Sequence, residues 1–247
     1  MNPYPTLCDD FGVYVYLNTK VDLPSASETV LHFFDTVQKA FPELTEFERR
    51  ESGEFVLEED RDRDSVRSVA LDTRRLVSAF SNPATLDEAD RQHERVLDLA
   101  PYHLDLTALN CDSLEVVFSF DFVYPGNHDE VIAEALAPNS PFDPLMQHAG
   151  AKMLHYEPSV VVALDEKCRL QARLWVESRT NTFQVQSGQF PEAPISVYFM
   201  VNQVWGKGAP TSFVESYRHQ RKLAQELVDA YVVPNVLRPL HQTISSK

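Results

Sequence analysis

Leu114-Glu115-Val116-Val117-Phe118-Ser119-Phe120-Asp121-Phe122-Val123-Tyr124, followed by Pro125-Gly126-Asn127-His128-Asp129-Glu130, decides the fold class. Val116, Phe118, Phe120 and Phe122 alternate with Val117, Ser119, Asp121 and Val123, the period of two expected of a sheet strand with one buried face. Asn127 with Glu130 three positions later is a helix-start signal, and Val131, Ile132, Ala135 and Leu136 follow at helical spacing until Pro138. A half-buried strand that leads straight into a capped amphipathic helix points to an α+β fold.

The same start signal recurs elsewhere in the chain. Ser25/Glu28 precedes Val30, Leu31, Phe34, Val37 and Phe41, which predict one buried helical stripe. Thr85/Glu88 opens a run in which Ala89, Val96 and Leu97 face the core, ending before Pro101. Ser212/Glu215 opens the longest helix, through Phe213, Tyr217, Leu223, Leu227 and Tyr231 to Pro234. Four helices are therefore expected.

Between them lie runs rich in Val, Tyr and Phe. Phe11 to Leu17 reads as a strand. Phe55 to Leu57 and Val66 to Leu71 flank the charged turn 58–64 and read as a hairpin with a solvated tip. Val160 to Leu164 and Arg169 to Val176 form a second hairpin across Asp165-Glu166-Lys167, and Phe183 to Gln186 and Ile195 to Val204 complete the strands. Hairpins with helices set between groups favour an antiparallel-rich sheet over a doubly wound parallel one. Both halves share the order strand, helix, several strands, helix. This suggests two pseudo-repeated halves, an acidic one over residues 1–110 and a second over 111–247, packed as separate domains or merged into one.

The chain has 247 residues, enough for a substantial core, with 43% hydrophobic and 24% charged residues. No stretch approaches the roughly 18 apolar residues of a membrane span, and the first residues show neither a basic nor an apolar leader segment, so a cytoplasmic protein is expected. Cys8, Cys111 and Cys168 are scattered and read as structural thiols. The net charge of −15 is uneven: residues 1–125 hold 25 Asp/Glu against 11 Lys/Arg, and the remainder 12 against 11. Such a surface disfavours phosphate backbones, so nucleic acid is not an expected partner.

Gly126-Asn127-His128-Asp129 resembles the GNH[DE] signature of calcineurin-like metallophosphoesterases, in which the Asn and a His belong to a two-metal site. The partner motifs of that family are missing from this chain. A simpler reading makes Asn127 a helix cap and places Asp129 and Glu130 at the positive end of the helix dipole. His103, Asp105, Asp121 and His128 are the residues that could form a metal or acid/base cluster for a hydrolase. Asp60, Asp62 and Asp64 match the first positions of a calcium loop, but Ser65 and Leu71 break its remainder, leaving a salt-paired turn. No cofactor motif stands out.

One basic group contrasts with the acidic chain: Lys207, Arg218, Arg221 and Lys222, candidates for an anionic ligand or an acidic partner surface. Trp175, Trp205, Tyr198 and Phe199 read as core or interface anchors. Leu71-Asp72-x-x-Arg75-Leu76 after a short strand, with Leu237-x-x-Leu240-His241 in the closing helix, resembles a sporadically distributed bacterial family of about this length that has no assigned activity. The resemblance implies no catalytic residues. Together these features favour a non-enzymatic binding or assembly protein that takes a protein partner or associates with itself; the alternatives are a metal-dependent hydrolase or a small-ligand-binding protein.

Overall fold

The computed structural model describes residues 3–206 and 212–247. The strands are β1 (Asp10–Thr19), β2 (Glu46–Arg49), β3 (Phe55–Glu58), β4 (Val66–Asp72), β5 (Arg75–Ser81), β6 (Cys111–Tyr124), β7 (Ser159–Ala163), β8 (Leu170–Glu177) and β9 (Ala193–Val204). They form one antiparallel sheet in the order β2-β3-β4-β5-β1-β6-β9-β8-β7. The main helices are α1 (Ser27–Ala40), α2 (Leu86–His103), α3 (His128–Leu136) and α6 (Phe213–Leu227), joined by the short α4 (Asp143–Met146) and α5 (Thr182–Ser187) and a closing α7 (Arg238–Ser245). Among the described residues no helix is long and apolar enough to cross a membrane.

The stretch that decides the fold class is the middle of this sheet. β6 pairs with β1 on one side, Val116 opposite Val15 and Phe118 opposite Val13, and with β9 on the other, Phe118 opposite Phe199. Residues of one parity, Phe11, Val13, Val15 and Leu17 of β1 with Leu114, Val116, Phe118, Phe120 and Phe122 of β6, are buried in one core. α2 and α6 pack on that side. In chain order β1, α1, β2 to β5 and α2 precede the seam strand β6, and α3, α4, β7, β8, α5, β9 and α6 follow it, so the second half carries two short helices that the first half lacks.

Helix caps agree with the sequence at three of four starts, since Thr85, Asn127 and Ser212 each accept the backbone N–H of the Glu three residues on. At α1 the cap residue is Ala26, without a side-chain bond, and the buried stripe is Val30, Phe33, Phe34 and Val37, with Leu31 51% exposed. α2 runs through Pro101 to His103, the proline falling in its last turn, where Leu104 N–H still closes on the Ala100 carbonyl. The longest helix does not stop at Pro234 either. After α6 the chain widens into a π-helical segment, Val228–Leu237, whose longer hydrogen-bonded loop relieves the clash between a proline ring and the carbonyl four residues back. Helices beyond the expected four therefore appear, and Phe183 to Gln186 is one of them. There Asn181 accepts from Gln184 N–H while the Gln184 side chain accepts from Asn181 N–H, a complete capping box that overrides the strand-like residues.

β5 carries a serine at a core-facing position. Ser78 lies opposite Val15 and Val69, and α2 supplies its partners: His93 Nδ1 stands 2.8 Å from Ser78 Oγ and Gln92 Nε2 donates to it at 3.1 Å. His93 is fully buried, and burial, reinforced by the Arg221 charge, pushes its pKa down to about 3. A histidine depressed in the folded state contributes stability that is complete above its unfolded value near 6.5 and is lost as pH falls towards 3. Urea unfolding over that range should show His93→Gln losing less stability than the parent, the difference growing by about 1.4 kcal/mol per pH unit.

Candidate functional site

The sheet face away from α2 and α6 presents residues of the opposite parity. Tyr14 and Tyr16 of β1, Arg75 of β5, Glu115 and Val117 of β6, Arg173 and Trp175 of β8, and Tyr198 and Met200 of β9 line a cleft of about 550 Å³ there. Strand pairing fixes them as a grid: Tyr14 opposite Val117, Val117 opposite Met200, Met200 opposite Arg173 in one row, and Tyr16 opposite Glu115 in the next.

The aromatic rings are held in pairs. Tyr14 and Tyr16 lie parallel at 6.5 Å, and Trp175 stacks on Tyr198 at 4.9 Å. The Tyr14 ring rests over Gly12, where a Cβ would come within 2.6 Å of it, so glycine at that strand position sets the ring's direction. Two guanidiniums sit on the rings, Arg75 at 5.3 Å from Tyr16 and Arg173 at 4.5 Å from Trp175. Asn18 ties the row together, accepting from Arg75 Nε at 2.8 Å and donating to Glu115 Oε1 at 2.9 Å. Burial raises Glu115 above the usual carboxylate range, an effect that Arg75, Asn18 and Arg173 oppose. Burial, with Tyr14 next to it, pushes the Tyr16 phenol up to about 12. Among the described side chains the Arg173 Nε and Asn202 Oδ1 atoms of this face are buried without a hydrogen-bond partner.

The candidate cluster and basic residues singled out from the sequence are not in the lining of this cleft. His103 ends α2, its ring 4.9 Å from His32, and Asp105 follows, exposed, in the connection to β6. Asp121 lies near the end of β6 opposite Asp10 and Ser196, with its carboxyl raised by burial. His128 is buried at the start of α3, with Nε2 2.9 Å from the Tyr124 carbonyl and Nδ1 accepting from Arg179 N–H at 3.1 Å. Both ring nitrogens are therefore occupied by backbone. Asn127 caps α3 and also donates to Met153 O, while Asp129 accepts from Tyr156 N–H and Ser178 Oγ. The Asn-His-Asp run thus fastens segments 153–156 and 178–180 to the helix start. Among the described residues no three His, Cys, Asp or Glu side chains are arranged to hold a metal ion, so His103, Asp105, Asp121 and His128 do not gather into one such group. Asp60, Asp62 and Asp64 lie on the hairpin tip, where Arg61 reaches Glu58 at 2.6 Å.

Two residues of the basic group are engaged by acidic residues of α2. Arg221 Nε meets Asp90 Oδ1 at 3.0 Å and its guanidinium lies over Phe118, while Arg218 pairs with Glu94 at 2.6 Å. Lys222 lies 3.8 Å from Glu226, and Lys207 falls outside the described residues. Tyr217 donates to the same Asp90 carboxylate. Arg218 and Arg221 thus bind α6 to α2. Trp205 and Phe199 are core residues, whereas Trp175 and Tyr198 stand on the open face.

Asp90→Ala removes the charge partner of the Arg221 guanidinium, 9% exposed, and should cost roughly 3 kcal/mol in urea unfolding, with the Gln225 hydrogen bond retained. Lys222→Ala should stay within about 0.5 kcal/mol.

No family model matches this chain, and no curated protein matches it. Among solved structures it is similar to a chain of the crystal structure of A. aeolicus tRNASec in complex with M. kandleri SerRS, at 13% identity and a TM-score of 0.30, covering 96% of this chain and 31% of that one. This chain spans about a third of the length of that chain.

Proposed function

We propose that this chain is a non-enzymatic binding module that takes a protein partner on the open face of its sheet. The observation that carries the reading is the make-up of the cleft: Tyr14, Tyr16, Trp175, Tyr198, Met200, Arg75 and Arg173 in one contiguous patch. Aromatic residues, Met and Arg are the types enriched at the centres of protein interfaces, where rigid rings contribute large contact areas at small entropic cost. These rings are already ordered by stacking, by guanidiniums and by the strands beneath them, so little freedom remains to be lost on binding.

Electrostatics favours a protein over a nucleic acid. Glu115 stands between the two arginines, and Asp10, Asp121 and Glu177 share a row at the end of the same face. Carboxylates so placed repel a phosphate backbone. A partner side chain that is apolar or aromatic fits between the Tyr14/Tyr16 and Trp175/Tyr198 pairs, with its polar neighbours meeting Arg173 and Asn202.

The test is cross-linked co-purification from the native host with the parent protein and with a Trp175→Ala/Tyr198→Ala variant. A protein recovered in fixed stoichiometry with the parent and lost with the variant is expected, and Trp175→Ala alone should weaken the isolated complex by about 30-fold, or 2 kcal/mol. Equal recovery by both, or co-purifying nucleic acid lost with the variant, would contradict the reading.

A further inference from the structure

β7 and β2 are the two edges of the sheet, and they differ in character. On the β2 side the meander β3-β4-β5 is capped by a strand of Glu46, Phe47, Glu48 and Arg49, whose charges guard the edge against further pairing. The matching meander β7-β8-β9 has no such cap among the described residues. β7 is Ser159-Val160-Val161-Val162-Ala163, without a charge or a proline, and its valines are 52%, 57% and 47% exposed.

The direction of its backbone follows from the ladder with β8. Leu164 N–H donates to Leu170 O and Val176 N–H to Pro158 O, so the even-numbered residues of β7 point their N–H and C=O groups at β8. In an antiparallel pair these groups alternate, which turns those of Ser159, Val161 and Ala163 outward. The helix-side face of the same edge continues into an apolar cleft of about 390 Å³, lined by Val160, Val162, Leu174, Tyr231 and Val236, where Tyr231 is 64% exposed.

We infer that β7 is a self-association edge, and that its occupant is β7 of a second copy of this chain, paired antiparallel about Val161. The strand reads almost the same in both directions. Centred on Val161, the pairing sets Val161 against Val161 and Ser159 against Ala163 through the outward backbone groups, and Val160 against Val162 on the helix side. Every cross-strand pair is small or β-branched and none brings like charges together. A two-fold at this point keeps both helix layers on one side and joins the two apolar clefts, with each Tyr231 turned towards the seam. Because the β2 edge is guarded, the contact closes as a dimer and does not propagate. This edge borders the open-face cleft, Val161 standing opposite Arg173 and Ser159 opposite Trp175, but self-association and capture of a different protein are read separately, so either proposal can fail alone.

Sedimentation velocity over a wide range of concentrations tests it. The parent chain is expected to show a reversible monomer–dimer equilibrium, and Val161→Lys to raise the dissociation constant by about tenfold or more with unchanged thermal unfolding of the monomer. As a second reading, Val161→Cys in a Cys168→Ser background should form a disulfide-linked dimer on mild oxidation, since facing Cα atoms in such a pair lie about 5.5 Å apart. Glu48→Cys in that background should not. A parent chain that stays monomeric throughout, a dimer indifferent to Val161→Lys, or a Val161→Cys chain that stays an unlinked thiol would each overturn the inference.

Discussion

The pairing of β1 with β6 is the constraint on which the rest of the structure depends. It joins the two halves of the chain into one sheet and sets the parity of every residue on both central strands. Phe118 and Phe120 face the helices because Ser119 and Asp121 face the other way. A slip of one residue would exchange the two sets, exposing the phenylalanines and burying Glu115 and Asp121. The same register carries Tyr14 and Tyr16 to the open face alongside Glu115, so the core and the candidate binding cleft are two consequences of one alignment.

The helix layer adds a polar element to this apolar seam. Asp90 of α2 accepts from Tyr217 and pairs with Arg221 of α6, and Arg221 in turn lies over Phe118 of β6. Tyr4, packed against Phe11 and Phe120, donates to Asp229 just beyond α6. The buried Arg221 guanidinium is met by an opposite charge and a ring, the condition under which burying it is tolerable. These contacts tie α2 to α6 across the helix layer. Of the basic residues that look like a ligand site in the sequence, Arg218 and Arg221 are engaged in this joint.

Much of the fold is legible in the sequence because it follows from local physics. Alternation in Leu114–Tyr124 and the Asn127/Glu130 cap place the central strand and α3, and the same reasoning places α2 and the start of α6. Two strands escape it for identifiable reasons. β2 is almost wholly charged, with Phe47 alone reaching Phe34 and Phe55, and β5 has Ser78 at a core position that only the distant Gln92 and His93 make tolerable. Phe183–Gln186 misleads in the other direction, since its capping box ends in Gln where the other helix starts have Glu. The candidate cleft is harder still to foresee. Tyr14 and Tyr16 sit on the polar side of one strand and Trp175 on the polar side of another, and only the full strand order brings them together.

Hydrogen exchange followed by mass spectrometry tests most directly whether β1 and β6 hold the molecule together. Amides of Val13–Leu17 and Leu114–Phe120 should be the slowest to exchange, and should do so in the same opening event as the β4–β5 and β8–β9 pairs. Exchange through residues 1–110 while 111–247 keep their protection would show that the halves stand independently, and would contradict the central place given to the β1–β6 seam.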